Sequence, residues 1–233
     1  MSGVARGFRG VFSPGEPLGQ HSPGEVSGAF SPGEPLGQHS PGEVSGSRSR
    51  VLSLGEIRVV IALRGATDAD DRGTLTRLAR QASGIPTLTL SRRCAHCGSN
   101  DHGRPQVRGL FVSLSRSSDT VAFAISREPV GIDIESMKAI ARADIDSLAF
   151  TRAELVRIAV STAPDRLRAE LWTGKEAVLK LRGTGLRVEP ASIELADVAE
   201  ALHPFTLHHG LVGAVHHGLV GAVAGAGRMT LVE

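Results

Sequence analysis

Two acids two residues apart, and an acid and a lysine four apart, are the positions in this chain best suited to chemistry. The first pair is Asp133 and Glu135 in Val130-Gly131-Ile132-Asp133-Ile134-Glu135, and the second is Glu176 and Lys180 in Trp172-Thr173-Gly174-Lys175-Glu176-Ala177-Val178-Leu179-Lys180. Apolar and acidic residues alternate in the first segment, which predicts a strand with both carboxylates on one face. The second segment predicts a helix, on which residues four apart share a side. Three carboxylates and a lysine can then converge on one cleft. Hard oxygen donors of that kind suit Mg²⁺, which takes a few carboxylates and completes its shell with waters and substrate phosphates. The chemistry this points to is phosphoryl transfer.

The elements that must position these residues are also legible. Glu56 to Leu63 reads as a strand, Gly73 to Ala82 as a short helix with Arg72, Arg77 and Arg80 nearby, and Leu110 to Ser115 and Val121 to Ser126 as two strands around a serine-rich turn. Thr151-Arg152-Ala153-Glu154 is a capping box, so the first role read for Glu154 is structural. Pro164 followed by Asp165 opens a helix that carries Trp172, Glu176 and Lys180, runs to about Arg182 and stops at Gly183.

Six blocks occur in a fixed order: Gly103-Arg104-Pro105, Ser113-Leu114-Ser115-Arg116-Ser117, Gly131 to Glu135, Phe150 to Glu154, Trp172 to Lys180, and Gly183-Thr184-Gly185-Leu186. Each alone is a weak pattern, and a Gly-x-Asp-x-Glu strand is often only a solvated face. Together and in order they resemble the Sfp-type 4′-phosphopantetheinyl transferases over about residues 75 to 230. The resemblance implies an α/β (α+β) fold of two halves related by a pseudo-twofold, each a small antiparallel sheet with packed helices. It implies transfer of 4′-phosphopantetheine from coenzyme A to a serine of an acyl or peptidyl carrier protein, releasing adenosine 3′,5′-bisphosphate.

In that scheme Asp133, Glu135 and Glu176 hold Mg²⁺, Lys180 lies against the phosphates, and Glu176 or a water it holds is the base. Arg104 would contact the 3′-phosphate and Ser115 another phosphate. Arg116 stands where the family has histidine, keeping a cation that fits phosphate. Arg142, Arg152 and Arg157 are candidates for docking an acidic carrier protein. A catalytically degenerate relative that only binds carrier proteins is the alternative.

Composition bounds the rest. The chain has 233 residues, 41% of them hydrophobic, enough for one large or two small domains. A formal charge of +2 is too small to argue for a nucleic-acid partner. Only three of the 26 basic residues are lysines (Lys138, Lys175 and Lys180), which makes the two within the Trp172 block conspicuous. No apolar run is long enough to span a membrane and no signal peptide is visible. A cytoplasmic monomer is the expectation, with no membrane or nucleic-acid partner.

The organisation is uneven. Residues 12–28 recur identically as 30–46, a unit rich in Pro, Gly and Ser, so 1–50 is expected to be a disordered tail. Residues 51–129 are then the N-terminal half with coenzyme A phosphate contacts. Residues 130–233 form the C-terminal half with the metal site and carrier-protein contacts. His208 to Val215 recurs as His216 to Val223, so either copy can supply a late strand. Cys94-Ala95-His96-Cys97 with His102 hints at zinc, but a structural site normally takes two separated ligand pairs and only one is present. A role in the fold rather than in metal binding is the expectation there.

Overall fold

The computed structural model describes residues 51–94, 97–100, 102–207 and 218–232. The duplicated 1–50 segment and residues 208–217 of the tail duplication lie outside the described residues. In chain order the elements are β1 (Glu56–Leu63), α1 (Asp68–Ser83), β2 (Leu90–Arg92), β3 (Pro105–Val107), β4 (Phe111–Ser117), β5 (Thr120–Ser126) and β6 (Gly131–Ser136). Then come α2 (Met137–Arg142), α3 (Asp146–Ala149), α4 (Arg152–Ala159), α5 (Pro164–Arg182), β7 (Leu202–Leu207), β8 (Leu219–Ala224) and β9 (Arg228–Val232). Short 3₁₀ turns fill the path from α5 to β7.

Two small sheets carry the fold, in the order β4-β5-β1-β9 and β6-β8-β7, with β2-β3 as a separate hairpin. The same pattern appears twice. A strand leads through helical structure to an antiparallel pair, and the last strand of the set inserts between the other two: β1-α1-β4-β5 with β5 central, and β6-α5-β7-β8 with β8 central. This repetition is the twofold relation expected of an α/β (α+β) fold with two small antiparallel sheets. Both central strands, TVAFAIS and LVGAVA, are buried throughout, as strands covered on both faces must be. The second copy of the tail duplication supplies β8.

One strand departs from the division read in the sequence. β9, the last element, lies in the first sheet beside β1 and parallel to it, with Val59 opposite Leu231. Gly227 makes the crossing possible, because a side chain there would stand 2.7 Å from the carbonyl oxygen of Gly55. A four- or five-residue strand carries no local signal for which edge it will join.

Side-chain alternation assigns each strand face to a layer. Val121, Phe123 and Ile125 of β5 pack under Leu75, Leu78, Ala79 and Ala82 of α1. Ala122 and Ala124, from the opposite face, meet Ile132 and Ile134 of β6, together with Ile57, Val59, Leu219 and Val223, in a core between the sheets. With the isoleucines of β6 turned inward, Asp133 and Glu135 share the other face, beside α5.

Helix boundaries follow their caps. α4 carries the Thr151–Glu154 capping box, and α5 runs from Pro164 at its first turn to Gly183 in the left-handed region (φ 69°). α1 begins at Asp68, five residues before the Gly73 start read from the sequence, because Thr67 and Asp70 form a second capping box. Gly131 lets β6 lie directly on α5: a Cβ there would be 2.0 Å from the carbonyl oxygen of Ala177 and 2.4 Å from the amide of Leu181. Both are backbone atoms and cannot rotate away. Gly131→Ala is therefore expected to destabilise the fold by about 3 kcal/mol, the upper part of the range for overpacking. Urea denaturation checks this, and a change below about 1 kcal/mol would show that strand and helix can part.

Candidate active site

The site lies where the edge strand of each sheet meets α5. β6 is an edge strand, and its outward amides need partners. β4 supplies them from serines on one face: the amide of Ile132 donates to Ser113 Oγ (3.1 Å) and that of Ser136 to Ser117 Oγ (3.1 Å). Ser117 Oγ lies 3.2 Å from Glu135 Oε2, and Ser115 Oγ donates to Asp133 Oδ1 at 2.6 Å. The serine block thus fastens β6 and orients its acids. Ser115, read from the family resemblance as a phosphate contact, has its hydroxyl turned to Asp133.

Lys180 completes the junction. Its Nζ donates to Asp133 Oδ1 (2.6 Å) and to Ser115 Oγ (3.2 Å). Asp133 is nearly fully buried, whereas the Lys180 side chain keeps 28% of its surface exposed. The two α5 lysines do different jobs. Lys175 is fully buried, 2.5 Å from Glu154 Oε2, and donates to the carbonyl of Pro190 at 3.0 Å. Glu154 is thus both a cap and half of a buried ion pair, a second role the local capping pattern does not disclose.

The acids strain against one another. Burial pushes the Glu135 carboxyl up to about 7, with the charge of Asp133 next, while Ser117 and Lys180 work the other way and Glu176 adds to the rise. Glu176 is likewise raised, by burial first and then by Asp133, with Lys180 opposing. Asp133 Oδ2 and Glu176 Oε1 are buried oxygens with no hydrogen-bond partner. Crowded carboxylates with unsatisfied oxygens are what a hard cation relieves, so Asp133, Glu135 and Glu176 fit Mg²⁺ in donor chemistry. They are spread more widely than a set that all bind one ion directly. Among the described residues, only Cys94, Cys97 and His102 bring three candidate ligand atoms within 4.8 Å of one another.

Beside the acids opens a cleft of about 540 Å³, lined by Arg92, Arg93, Arg104, Arg116, Lys180 and Arg187 with no acidic residue among its lining. Arg104 spans it, donating to the carbonyls of Leu181 (3.2 Å) and Val130 (3.3 Å) and lying over the Phe111 ring. These bonds engage two of its five N–H groups. Arg116 is held by Asp71 at 2.5 Å and Asp68 at 3.5 Å, both from the first turn of α1. Burial above all, then the charges of Arg72 and Arg116, lowers the Arg92 guanidinium's pKa, with Asp68 opposing. Arg92 also lines an adjoining pocket with Arg72, Thr76 and Asn100.

The seven residues read as metal, phosphate or base contacts, Asp133, Glu135, Glu176, Lys180, Arg104, Ser115 and Arg116, lie at this junction or in the cleft beside it. Arg92, Arg93, Arg187 and the anchoring Asp71 were not singled out. The Arg92-Arg93 pair beside the cysteines was the available signal for two of them; Arg187 and Asp71 come to the cleft through tertiary packing alone.

Residues 129–216 match the family model of the 4′-phosphopantetheinyl transferase superfamily, a span that holds Asp133, Glu135, Glu176 and Lys180. The chain is 37% identical over 91 residues to the 4′-phosphopantetheinyl transferase psf-1 of Bacillus pumilus, covering 36% of this chain and 38% of that protein. The chain thus spans well under half the length of the curated relative it matches. Residues 129–216 of this chain are thus similar to the 4′-phosphopantetheinyl transferase superfamily.

Proposed function

We propose that the protein moves the 4′-phosphopantetheine arm of coenzyme A onto a serine of an acyl or peptidyl carrier protein, acting as a holo-carrier-protein synthase. The bond from the serine oxygen to phosphorus forms as the pyrophosphate P–O bond breaks, and adenosine 3′,5′-bisphosphate departs. The observation that carries this is the cationic cleft opening against the acidic junction, with Lys180 shared by both. A pyrophosphate needs cations along its length and a metal-binding corner at the reacting phosphorus, and few other ligands need both.

Mg²⁺ held by Asp133, Glu135 and Glu176 would neutralise charge on the reacting and leaving phosphates. Lys180 leaves Asp133 for the phosphates as the ligand enters, since its ammonium donates three bonds and is partly exposed. Arg104 and Arg116 take phosphate oxygens with their planar guanidinium forks, Arg104 the 3′-phosphate. Arg116 carries positive charge where the family has histidine, and Asp71 fixes its direction. Ser115 acts by orienting Asp133 and Lys180. Glu176, its carboxyl raised by burial, would take the serine proton. Arg142, Arg152 and Arg157 are exposed and available to an acidic carrier domain.

The test is direct. The chain is incubated with coenzyme A, Mg²⁺ and a panel of apo carrier domains, and products are weighed intact. A gain of one phosphopantetheine on a carrier, abolished by excess chelator, is expected. Folded protein that binds carriers and leaves every one of them unmodified would overturn the transfer reading in favour of a binding module.

A further inference from the structure

The β2-β3 hairpin holds three of the cleft's arginines and has little to hold itself together. Each strand is three residues long, with Arg92 opposite Pro105, and the loop between them runs from 93 to 104. So short a ribbon is marginal alone. Its loop is nonetheless built. The amide of Gly98 donates to the carbonyl of Cys94 (2.9 Å) and that of Cys94 to the carbonyl of Ser99 (2.8 Å), closing a tight turn that brings Cys94 and Cys97 together. Gly98 takes φ 74°, in the left-handed region. Gly103 takes φ 104°, and a Cβ there would stand 3.0 Å from the Cα and amide of Cys94. Only glycine lets the returning chain pass so near, and that passage sets His102 beside the cysteines. Cys97 Sγ and His102 Nε2 lie 3.2 Å apart, and all three ligand atoms fall within 4.8 Å of one another.

The geometry points to a zinc site formed by Cys94, Cys97 and His102, with water in the fourth position, that staples this hairpin tip beneath the cationic cleft. Tetrahedral Zn²⁺ with bonds of about 2.3 Å to sulfur and about 2.0–2.1 Å to nitrogen sets its ligand atoms roughly 3.5–3.8 Å apart, which the cluster reaches with small side-chain adjustments. Thiolate and imidazole donors select zinc over the hard cations suited to the carboxylates, so the two sites take different ions. The second ligand pair that the sequence lacks is replaced by one histidine carried in through Gly103 and by solvent, to which Cys97 and His102 are open. Cys94 and Gly103 line the cleft with Arg93 and Arg104. An ion tying the two ends of the loop therefore fixes those arginines. That last consequence rests on the transferase reading; the metal site itself does not.

The full chain is expressed with zinc supplied, dialysed into metal-free buffer with Mg²⁺, and its zinc measured by mass spectrometry. About one zinc per chain is expected, below 0.1 in Cys94→Ser/Cys97→Ser and sharply reduced in His102→Ala. Cobalt in its place should show thiolate-to-cobalt charge transfer with tetrahedral visible bands. Where a variant fails to fold, zinc released from the wild type by a thiol-reactive mercurial gives the same answer. Wild-type protein without zinc, its thiols fully titratable or joined in a disulfide, would overturn the site. Stripping zinc should weaken coenzyme A binding at least 10-fold by calorimetry, and unchanged affinity would overturn the positioning role. Zinc-loaded wild type that binds no coenzyme A would count against the transferase reading and leave the metal site standing.

Discussion

Glu135→Gln is expected to abolish transfer and at the same time to stabilise the metal-free protein at alkaline pH. A carboxylate bound to Mg²⁺ at the reacting phosphates acts where charge develops, so its loss should lower kcat/KM by about 10²–10³-fold or more. Stability follows from the raised pKa. The folded protein keeps the Glu135 proton up to about 7, whereas an unstrained carboxyl releases it near 4.5. Between those values the folded state binds more protons than the unfolded one, so stability falls as pH rises and the full penalty is present above about 7. The span of about 2.5 pH units (7 − 4.5) sets a ceiling near 3 kcal/mol, and side-chain adjustment and residual hydration bring the effect to the order of 1–3 kcal/mol. Thermal melts of wild type and Glu135→Gln in chelator, from pH 4 to 8.5, should coincide at the acid end, diverge from about pH 4.5 and reach full separation above about 7, with the variant higher. Mg²⁺ should raise the wild-type melting temperature at pH 8 and leave the variant nearly unmoved. Parallel curves, or full transfer activity in the variant, would remove Glu135 from the metal site.

Lys175→Met is expected to be the most destabilising single change in the helical layer. Lys175 and Glu154 are both fully buried, 2.5 Å apart, and the lysine also satisfies the Pro190 carbonyl. Removing one ion of such a pair strands the other, which typically costs about 3–5 kcal/mol. For a folded region of this size that lowers the melting temperature by roughly 10 °C. Replacing both, as Lys175→Met/Glu154→Gln, should recover much of the loss, because no charge is left stranded. The recovery is incomplete, since methionine cannot donate to the Pro190 carbonyl as Lys175 does at 3.0 Å. Calorimetry of the three variants completes the cycle. A single variant as stable as wild type would mean the pair contributes nothing.

These two lysines show where sequence reading ends. Both sit in one block on α5 and look alike in the chain. One closes a buried pair with α4, while the other bridges to β6, and only the packing of three elements separates their roles. What the sequence by itself determined is what depends on neighbours along the chain. Period-two alternation placed β6 and put Asp133 and Glu135 on one face; proline, glycine and capping residues bounded α4 and α5. Those signals act within a few residues, so they survive any tertiary arrangement. α1 starts at Asp68 rather than at the Gly73 read from the sequence, because the local Thr67–Asp70 box caps it there.

Tertiary structure decided everything that needs distant segments to meet. The serines of β4 became partners for the open edge of β6, which turned Ser115 toward Asp133. Asp71 reached Arg116 across 45 residues. β9 joined the first sheet, since an edge strand accepts whichever partner the core brings to it. The cationic cleft collects Arg92, Arg93, Arg104, Arg116, Lys180 and Arg187 from four separate stretches of chain. Cys94, Cys97 and His102 come within reach of one another because the chain returns at Gly103, where a Cβ would stand 3.0 Å from the Cys94 backbone. Spacing along a chain fixes which side chains share a face. Which faces come to share a cleft is fixed by how sheets and helices bury their apolar sides against one another.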